Sequence, residues 1–491
     1  MKQSRPAGYE YLIDCFPRQE DVDVRDAKGT TITDSNGKRY LDLFEGIAVN
    51  NVGHCHPRVV SAIREQSGRF MHLSNHYRND VLPELAKRIA EVSPAGLHRS
   101  FFANSGSEAI DGSVKLAKKF AYERGRNGMG VVSLQGSFHG RLSLTLSLTG
   151  QRKYKDKLGG YASFPGVFHA PIPYHYRYGG GQSPDDFGLA CAEGMREVID
   201  EYSAGDVAAV VLEPILGEGG IIVPPDTYLP RVQKICRSRR IPLIVDEVQT
   251  GVGRTGAMFA SQLWNVRPDI MAFAKAIGGG LPMGGFIGTD ELTSAFGEGD
   301  HFSTFGGNPV CCAAALAVLD VIEEEDLVRN SKRLGEHALR RLRELAERSS
   351  IVGDVRGRGL MIGVELVKDE RKKTPADGAA LRARDELRRK GFLVGLGGLH
   401  KNVLRLEPPW SSPWTSWTPV WTLWGPRWRS RPDDDGEPAE AGERNRMRAR
   451  TGRPGAPRVA ARRWRPGSSV SPSPWTPRRP ALASRRAPSG P

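Results

Sequence analysis

The sequence predicts an α/β protein with a large, mostly parallel-sheet domain and a smaller α+β domain. Between about residues 56 and 288, continuous apolar runs alternate with helical patterns, and two of the runs, residues 207–212 and 241–245, stop at an acidic residue. Such runs are typical of parallel strands covered by helices on both faces. From Pro309 onward, two long helical patterns are followed by strand, glycine-rich turn and strand, which is typical of an α+β unit.

The individual elements follow from local patterns along the chain. Residues 20–52 alternate short β-like runs with turns and predict a hairpin-rich start. Apolar residues recur with helical spacing over residues 82–90, 114–120 and 379–389, whereas residues 403–406 have the pattern of a strand. In a parallel sheet the ligand site lies at the carboxyl ends of the strands, so the polar residues directly after the apolar runs are site candidates.

These patterns divide the chain into four segments. We expect an N-terminal segment that packs with the small domain, a large domain, an incomplete small domain and a tail. Their ranges are residues 1–55, 56–300, 301–409 and 410–491.

The positive charge is concentrated in the tail. The chain of 491 residues has a formal net charge of +14. Residues 410–491 contain 16 Arg against six acidic residues, and eight of the nine Trp, so the remainder is close to neutral. A strongly basic chain usually indicates a nucleic-acid or anionic-membrane partner. Here that inference rests on the tail alone, and we do not expect the rest of the chain to bind nucleic acid.

Membrane spans, disulfides and metal sites are not indicated. The longest apolar stretch, residues 310–319, is about half of what a bilayer requires. The six cysteines lack CxxC spacing and are typical of free thiols in a reducing compartment. His54, Cys55 and His56 are too tightly spaced for three side chains to converge on one ion, so we expect no metal. We therefore expect a cytoplasmic protein without a membrane partner.

Three motifs place reactive groups at the predicted strand ends. Residues 104–109 open a helix whose free N–H groups suit a phosphate, although an ordinary N-cap also explains Ser105 or Ser107. Asp246 follows a buried strand, where a carboxylate needs a cationic partner unless it caps a helix. Lys275 lies in an apolar run before three glycines. Desolvation there would lower its pKa and provide a nucleophilic amine, unless the side chain extends to water.

Together the three motifs describe one ligand. A phosphate cradle, an acid for a ring nitrogen and a lysine able to form a Schiff base are what pyridoxal phosphate requires. The motifs resemble those of the class III pyridoxal-phosphate aminotransferases, which include 4-aminobutyrate, ornithine and acetylornithine aminotransferases. The matching segments are residues 104–109, 213–214, 246–251, 273–275 and 304–309. The resemblance covers about residues 9–409 and implies a fold-type I transferase that forms a homodimer with its site at the subunit interface.

The resemblance also implies a role for each matching residue. Lys275 would form the internal aldimine and then move the substrate proton, and Asp246 would keep the pyridine nitrogen protonated. The other cofactor contacts that it implies are made by Ser105, Gly106, Ser107, Phe138, His139, Gln249 and Thr304. Of these, Phe138 would stack on the ring face, and Thr304 would reach the phosphate of the neighbouring subunit.

In the 4-aminobutyrate and ornithine subgroup that the chain resembles, two arginines bind substrate carboxylates. Arg141 would take a distal carboxylate and Arg405 the α-carboxylate of glutamate, since guanidinium groups bind carboxylates bidentately. Glu213 would pair with Arg405 when the donor lacks an α-carboxylate, and Ile47 would line the substrate. Leu216, where the subgroup usually has Gln, leaves the exact donor open.

The predicted function is therefore ping-pong transamination from an ω-amino donor such as 4-aminobutyrate to 2-oxoglutarate. The alternatives are ornithine or acetylornithine as donor, and pyruvate or glyoxylate as acceptor. The charge distribution also leaves an alternative of another class, a non-catalytic protein whose basic tail binds nucleic acid.

The tail combines helical spacing with helix breakers. Six Trp residues between 410 and 428 recur at intervals of four and three, yet Pro413, Pro419 and Pro426 lie among them. Because Trp has the single codon TGG, a shift of one base converts each into a Leu, Met or Val codon, and an amphipathic helix results. Our hypothesis is that the chain runs out of frame from about Trp410. Resequencing of the coding DNA tests it.

Overall fold

The computed structural model describes residues 8–15, 18–19, 21–203 and 205–410. The strands of these residues are β1 (Val24–Lys28), β2 (Thr31–Asp34), β3 (Arg39–Asp42), β4 (Arg99–Ala103), β5 (Gly130–Leu134), β6 (Val167–Ala170), β7 (Val207–Leu212), β8 (Leu243–Asp246), β9 (Ile270–Ala274), β10 (Gly284–Gly288), β11 (Val352–Arg358), β12 (Met361–Leu366), β13 (Phe392–Leu393), β14 (Gly395–Gly397) and β15 (Val403–Leu406). The helices are α1 (Glu45–Ala48), α2 (Pro57–Arg69), α3 (Val81–Val92), α4 (Gly106–Glu123), α5 (Ser143–Leu148), α6 (His175–Tyr178), α7 (Pro184–Glu197), α8 (Tyr228–Ser238), α9 (Asp290–Thr293), α10 (Pro309–Glu324), α11 (Leu327–Ala346) and α12 (Asp377–Arg389).

The central sheet has seven strands in the order β4, β10, β9, β8, β7, β5, β6. The five strands from β9 to β6 run parallel, whereas β10 is antiparallel to both of its neighbours. This confirms the predicted mostly parallel α/β sheet. Strand β7 coincides with the predicted apolar run, and β8 begins two residues later than predicted, just after Pro242, which has no N–H to donate.

Helices cover both faces of this sheet. Along β7, Val210 and Leu212 pack in the same cluster as residues of α7 and α8. Ala209 and Val211, which point the opposite way because strand side chains alternate, pack with residues of α4. The backbone of the sheet is therefore buried, and its polar residues can reach a ligand only at the strand ends.

Two smaller sheets hold the remaining strands. In one, β11, β12, β15 and β14 are antiparallel neighbours, which matches the strand–turn–strand pattern and the strand predicted at residues 403–406. In the other, β1, β2 and β3 form the expected N-terminal hairpins, and β3 also pairs in parallel with β13, with Leu41 opposite Phe392. The domain boundaries at residues 55, 300 and 409 stay a prediction.

Two further expectations concern the cysteines and the lengths of the helices. All six cysteines are free in the structure. Among the described residues, no helix has the length and apolar character needed to cross a membrane.

Candidate active site

A cavity of about 410 Å³ lies at the carboxyl ends of β8 and β9. Nine of the residues predicted from the sequence line it together: Ser105, Gly106, Ser107, Phe138, His139, Glu213, Asp246, Gln249 and Lys275. They come from five separate segments of the chain. Their convergence therefore depends on the order of the strands in the sheet.

Lys275 follows directly after the last residue of β9 and begins a 3₁₀ turn. Its backbone has a φ of 53°, a left-handed conformation that residues other than glycine rarely adopt and that is often retained at functional sites. Burial lowers the pKa of Lys275, and the nearby Asp246 carboxylate opposes this effect. The amine is thus more easily obtained in its neutral, nucleophilic form than that of an ordinary lysine.

Asp246, the last residue of β8, is held by two hydrogen bonds. The His139 Nδ1 atom lies 2.8 Å from Asp246 Oδ2, and the Val248 backbone N–H donates to Oδ1 at 3.1 Å. His139 is itself buried, with its Nε2 atom unpartnered among the described residues. The carboxylate is therefore oriented by its neighbours while it lines the cavity, as an acid that pairs with a ring nitrogen must be.

The N-terminus of α4 also lines the cavity. Ser105 is the N-cap, and its side chain accepts a hydrogen bond from the backbone N–H of Glu108. The ordinary capping role is therefore present, and the phosphate-binding role stays a prediction. The N–H groups of Gly106 and Ser107 precede the first intrahelical hydrogen bond, which Ala109 donates to Ser105, so they are free to bind an anion.

Two glycines keep this end of the cavity open. A Cβ atom at Gly106 would approach Val248 Cγ1 to 2.8 Å, and one at Gly140 would approach Ser107 Oγ to 2.1 Å. A phosphate cradle, an oriented carboxylate and a desolvated lysine thus share one cavity. These residues fit pyridoxal phosphate.

Glu213 follows β7 directly and is engaged by the backbone. Its two carboxylate oxygens accept hydrogen bonds from the N–H groups of Phe138, at 2.8 Å, and Gly217, at 2.9 Å. Burial raises the pKa of Glu213 to about 7; His139 opposes the rise and Asp246 adds to it. In this structure Glu213 does not pair with Arg405, because both of its oxygens accept hydrogen bonds from the backbone; the pairing expected when a donor without an α-carboxylate is bound stays a prediction.

Arg405, on β15, is buried between two other carboxylates. Its Nη2 atom lies 3.0 Å from Glu407, and its Nη1 atom contacts Glu218. Burial alone would lower the pKa of Arg405, but Glu407 and Glu218 raise it above its usual value. Arg405 does not line the cavity, but its charge lowers the pKa of Lys275, whereas Glu407 and Glu213 raise it.

The sequence interpretation missed Glu218 and Glu407. Glu407 has a signal that could have found it, because it follows Arg405 by two residues and side chains two apart on a strand share a face. Glu218 lies five residues after Glu213 in a loop, where no periodicity shows which of the two acids turns toward Arg405.

Arg141 lies at an exposed position and rests on aromatic rings. Its guanidinium carbon is 4.3 Å from the centre of the Tyr154 ring and 5.7 Å from that of Phe138. Within the described part of the chain it forms no ion pair, so its fork can accept a carboxylate. Phe138 meets the Tyr154 ring edge-on rather than being isolated above the cavity.

Ile47 and Thr304 are exposed and do not line the cavity. Ile47 has a φ of 70°, within a tight turn of left-handed residues. The predicted action of Thr304 on a neighbouring subunit stays a prediction, as do the individual roles of the other site residues.

The histidines of the His54–Cys55–His56 segment have different partners. His54 Nε2 lies 2.9 Å from Asp42, whereas His56 Nε2 lies 3.3 Å from Glu325. Asp42, Glu45 and His54 place three possible ligand atoms within 4.8 Å of one another, so the absence of a metal stays a prediction.

Replacing Glu213 with glutamine is expected to flatten the pH dependence of stability. Its folded pKa of about 7 lies above the unfolded value of 4.5, so the protonated form stabilises the fold below pH 4.5 and this contribution is lost as pH rises through 7. The loss amounts to at most about 3 kcal/mol. Denaturant unfolding of the cofactor-free protein at pH 5 and pH 8 measures it. The exposed Glu197→Gln variant is the control. An equal change in the free energy of unfolding between pH 5 and pH 8 for both variants would contradict the prediction.

Comparison with known proteins identifies the family. The family described as "Aminotransferase class-III" matches residues 16–413. The acetylornithine aminotransferase of Methanothermobacter thermautotrophicus is 40% identical over 400 residues, which are 82% of this chain and 92% of that protein. An Arabidopsis thaliana protein named alanine–glyoxylate aminotransferase 2 homolog 2, mitochondrial, is 36% identical over 80% of this chain and 79% of its own.

A solved structure gives the same result for the fold. The (S)-enantioselective omega-transaminase from Thermomicrobium roseum has a TM-score of 0.76 and 33% identity, and the match covers 81% of this chain and 90% of that one. The chain therefore belongs to the class III pyridoxal-phosphate-dependent aminotransferases.

Proposed function

We propose that this aminotransferase moves an amino group from an ω-amino donor with a distant carboxylate to 2-oxoglutarate in a ping-pong reaction. N-acetylornithine is the favoured donor, because relatives that the chain matches over about nine-tenths of their length are named acetylornithine aminotransferases. The donor first expected, 4-aminobutyrate, also has a carboxylate several carbons away from its amine, but the names of these relatives do not support it.

Pyridoxal phosphate, when bound, supplies the electron-withdrawing ring that weakens the reacting C–H bond. Lys275 Nζ would bind the cofactor covalently and afterwards move the proton from the reacting carbon. The Asp246 carboxylate would hold the ring nitrogen protonated, and His139 would keep that carboxylate in place. The N–H groups of Gly106 and Ser107 would bind the phosphate.

The observation that carries the substrate proposal is the pairing of Arg405 with Glu218. With a donor whose reacting carbon has no carboxylate, Arg405 would keep Glu407 at its Nη2 atom, but without Glu218 its Nη1 atom would be buried without a partner, which is costly. Glu218 neutralises it at that stage. When 2-oxoglutarate binds, its α-carboxylate would displace Glu218, so one site serves two unlike substrates. The switching role first expected of Glu213 thus passes to Glu218.

Arg141 is proposed to bind the other carboxylate. Its exposed guanidinium is supported by the Tyr154 and Phe138 rings and carries no carboxylate partner in the described chain. It would receive the α-carboxylate of N-acetylornithine in the first half-reaction and the side-chain carboxylate of 2-oxoglutarate in the second.

A substrate panel tests this function. Each donor (N-acetylornithine, ornithine, 4-aminobutyrate and a diamine) is combined with 2-oxoglutarate, pyruvate and glyoxylate, and kcat/KM is measured for every pair. We expect N-acetylornithine with 2-oxoglutarate to exceed the pairs that lack one of the two carboxylates, which are those with the diamine, pyruvate or glyoxylate, by at least about tenfold, the value of one charged hydrogen bond. Equal or higher values with pyruvate or glyoxylate would reject 2-oxoglutarate as the acceptor. A donor without a carboxylate that matches N-acetylornithine would reject the role of Arg141.

We further propose that the enzyme acts as a homodimer with a shared site. Phe302 and Phe305 flank Thr304, are more than half exposed, and contact His76 and His72 respectively. Exposed aromatic clusters of this kind are typical of protein interfaces. Light scattering of the purified protein measures its mass, and a monomeric active enzyme would refute the shared site.

A further inference from the structure

Tyr154 contacts both halves of the proposed substrate site. It ends a short 3₁₀ turn, Arg152–Tyr154, and its hydroxyl donates a hydrogen bond of 2.6 Å to Glu218. The face of its ring carries the Arg141 guanidinium at 4.3 Å. One side chain therefore joins the counter-ion of one arginine to the other arginine.

We infer that Tyr154 is a positioning residue that sets specificity: its hydroxyl keeps Glu218 stable when a substrate carboxylate takes Arg405, and its ring orients Arg141. This inference rests on the proposed function, because it assumes that two carboxylates bind at Arg405 and Arg141. It adds a residue that the motifs did not single out.

The hydroxyl matters most when Glu218 has lost Arg405. In the structure Glu218 is partly buried and has two hydrogen-bonding partners, Arg405 and Tyr154. Displacement by a substrate would leave the Tyr154 hydroxyl as the remaining one of these two. A buried carboxylate without a charged partner depends more on each remaining hydrogen bond than a paired one does. Removing the hydroxyl should therefore favour the closed Glu218–Arg405 pair and weaken binding of 2-oxoglutarate.

The Tyr154 hydroxyl keeps its proton and remains a hydrogen-bond donor. Burial and the Glu218 carboxylate both raise the pKa of Tyr154 above its ordinary value, so the phenol stays protonated. Burial opposes ionisation of Glu218, but Arg405, Tyr154 and Lys153 hold the pKa of that carboxyl below its usual range. Within the described residues the Lys153 ammonium donates to the Gly398 carbonyl and forms no hydrogen bond with Glu218, so the phenol is the neutral donor that Glu218 has in this structure.

The ring acts separately on Arg141. A guanidinium on an aromatic face is attracted by the ring quadrupole, and this attraction restricts the orientations that the side chain adopts. The Phe138 ring meets Tyr154 at an angle of 69°, with 5.3 Å between their centres, and helps to fix it. Phenylalanine at position 154 keeps this surface, whereas leucine removes it, so the two functions of Tyr154 can be separated.

Both half-reactions of the cofactor-loaded enzyme are followed by the cofactor's absorbance, and binding of glutarate, an unreactive dicarboxylate, is followed by calorimetry. For Tyr154→Phe we expect about tenfold weaker binding of glutarate and 2-oxoglutarate, with the N-acetylornithine half-reaction changed less than about twofold. For Tyr154→Leu we expect both half-reactions to weaken. The exposed Tyr202→Phe variant is the control for the loss of a hydroxyl.

The outcomes separate the inference from the proposed function. If the wild type binds glutarate and uses 2-oxoglutarate but Tyr154→Phe binds both equally well, the inference is wrong and the function stands. If Tyr154→Phe weakens both half-reactions to the same extent, its role is general support of the fold, and the specificity role is refuted. If the wild type neither binds glutarate nor uses 2-oxoglutarate, the proposed acceptor fails, and this inference fails with it.

Discussion

Replacing Lys275 with alanine is expected to lower transamination by roughly 10³-fold or more, because the variant loses both the nucleophile and the proton carrier. Ala274 and Ala276 flank Lys275, so no neighbouring side chain supplies an amine. The covalently bound cofactor's visible absorbance should also disappear after gel filtration. Steady-state rates and the absorption spectrum measure the two effects.

A second lysine, Lys118, which is partly buried, provides a control. Burial also lowers the pKa of Lys118, but this residue lies on α4 and donates to the carbonyls of Gly128 and Met129, away from the cavity. Lys118→Ala should therefore keep the spectrum and most of the activity. A Lys275→Ala protein that retains the absorbance and turns over like Lys118→Ala would show that the catalytic assignment is wrong.

Replacing Arg405 with leucine is expected to lower both stability and acceptor binding. The change would leave Glu407, which is fully buried, without its cation, and removing one member of a buried ion pair costs about 3–5 kcal/mol. The KM for 2-oxoglutarate should rise by at least about tenfold, since a bidentate carboxylate contact is lost. Denaturant unfolding and half-reaction kinetics measure these effects independently.

Two companion variants keep this prediction testable if Arg405→Leu does not fold. Arg405→Lys retains the charge but not the fork, so it should recover most of the stability while KM for 2-oxoglutarate stays high. Adding Glu407→Gln to Arg405→Leu removes the unpaired charge and should restore part of the stability without restoring acceptor binding. If Arg405→Lys binds 2-oxoglutarate like the wild type, a bidentate role for Arg405 is excluded.

Much of the central sheet and of the cofactor cavity could be predicted because local signals and topology agree. The run at β7 is continuous and apolar since both faces of the strand are covered. Asp246 stands out because it ends such a run, and Lys275 because it is the charged residue within one. The backbone partners of Glu213 could not be predicted, for a physical reason. Two backbone N–H groups, of Phe138 and Gly217, occupy its carboxylate, and only the folded path of the loop shows this.

Tyr154 could not be found from its surroundings in the sequence. It is separated from Arg141 by 13 positions, from Glu218 by 64 and from Arg405 by 251, and none of these separations follows a helical or strand period. Long-range contacts between loops depend on the packing of the elements that carry them, which no local pattern records.

The proposed change of reading frame concerns residues that are almost entirely outside the described part of the chain. Trp410 is the exception: it is fully buried, packs over the Arg254 guanidinium at 5.5 Å, and donates its backbone N–H to Asn51. Position 410 is thus an apolar core position, which the leucine of the alternative frame would also suit. The family match ends at residue 413, close to the point where the composition changes. Residues 411–491 lie outside the described residues.

The parallel pair of β3 and β13 has a consequence for synthesis of the chain. Leu41 leaves the ribosome about 350 residues before its partner Phe392. At elongation rates of about 5–20 residues per second, one edge of the N-terminal sheet waits roughly 20–70 s for its last strand. An uncovered strand edge is a site for pairing with other chains. Among the described strands, the first hairpins therefore remain without a pairing partner for the longest time, and we expect chaperones to bind this segment during synthesis.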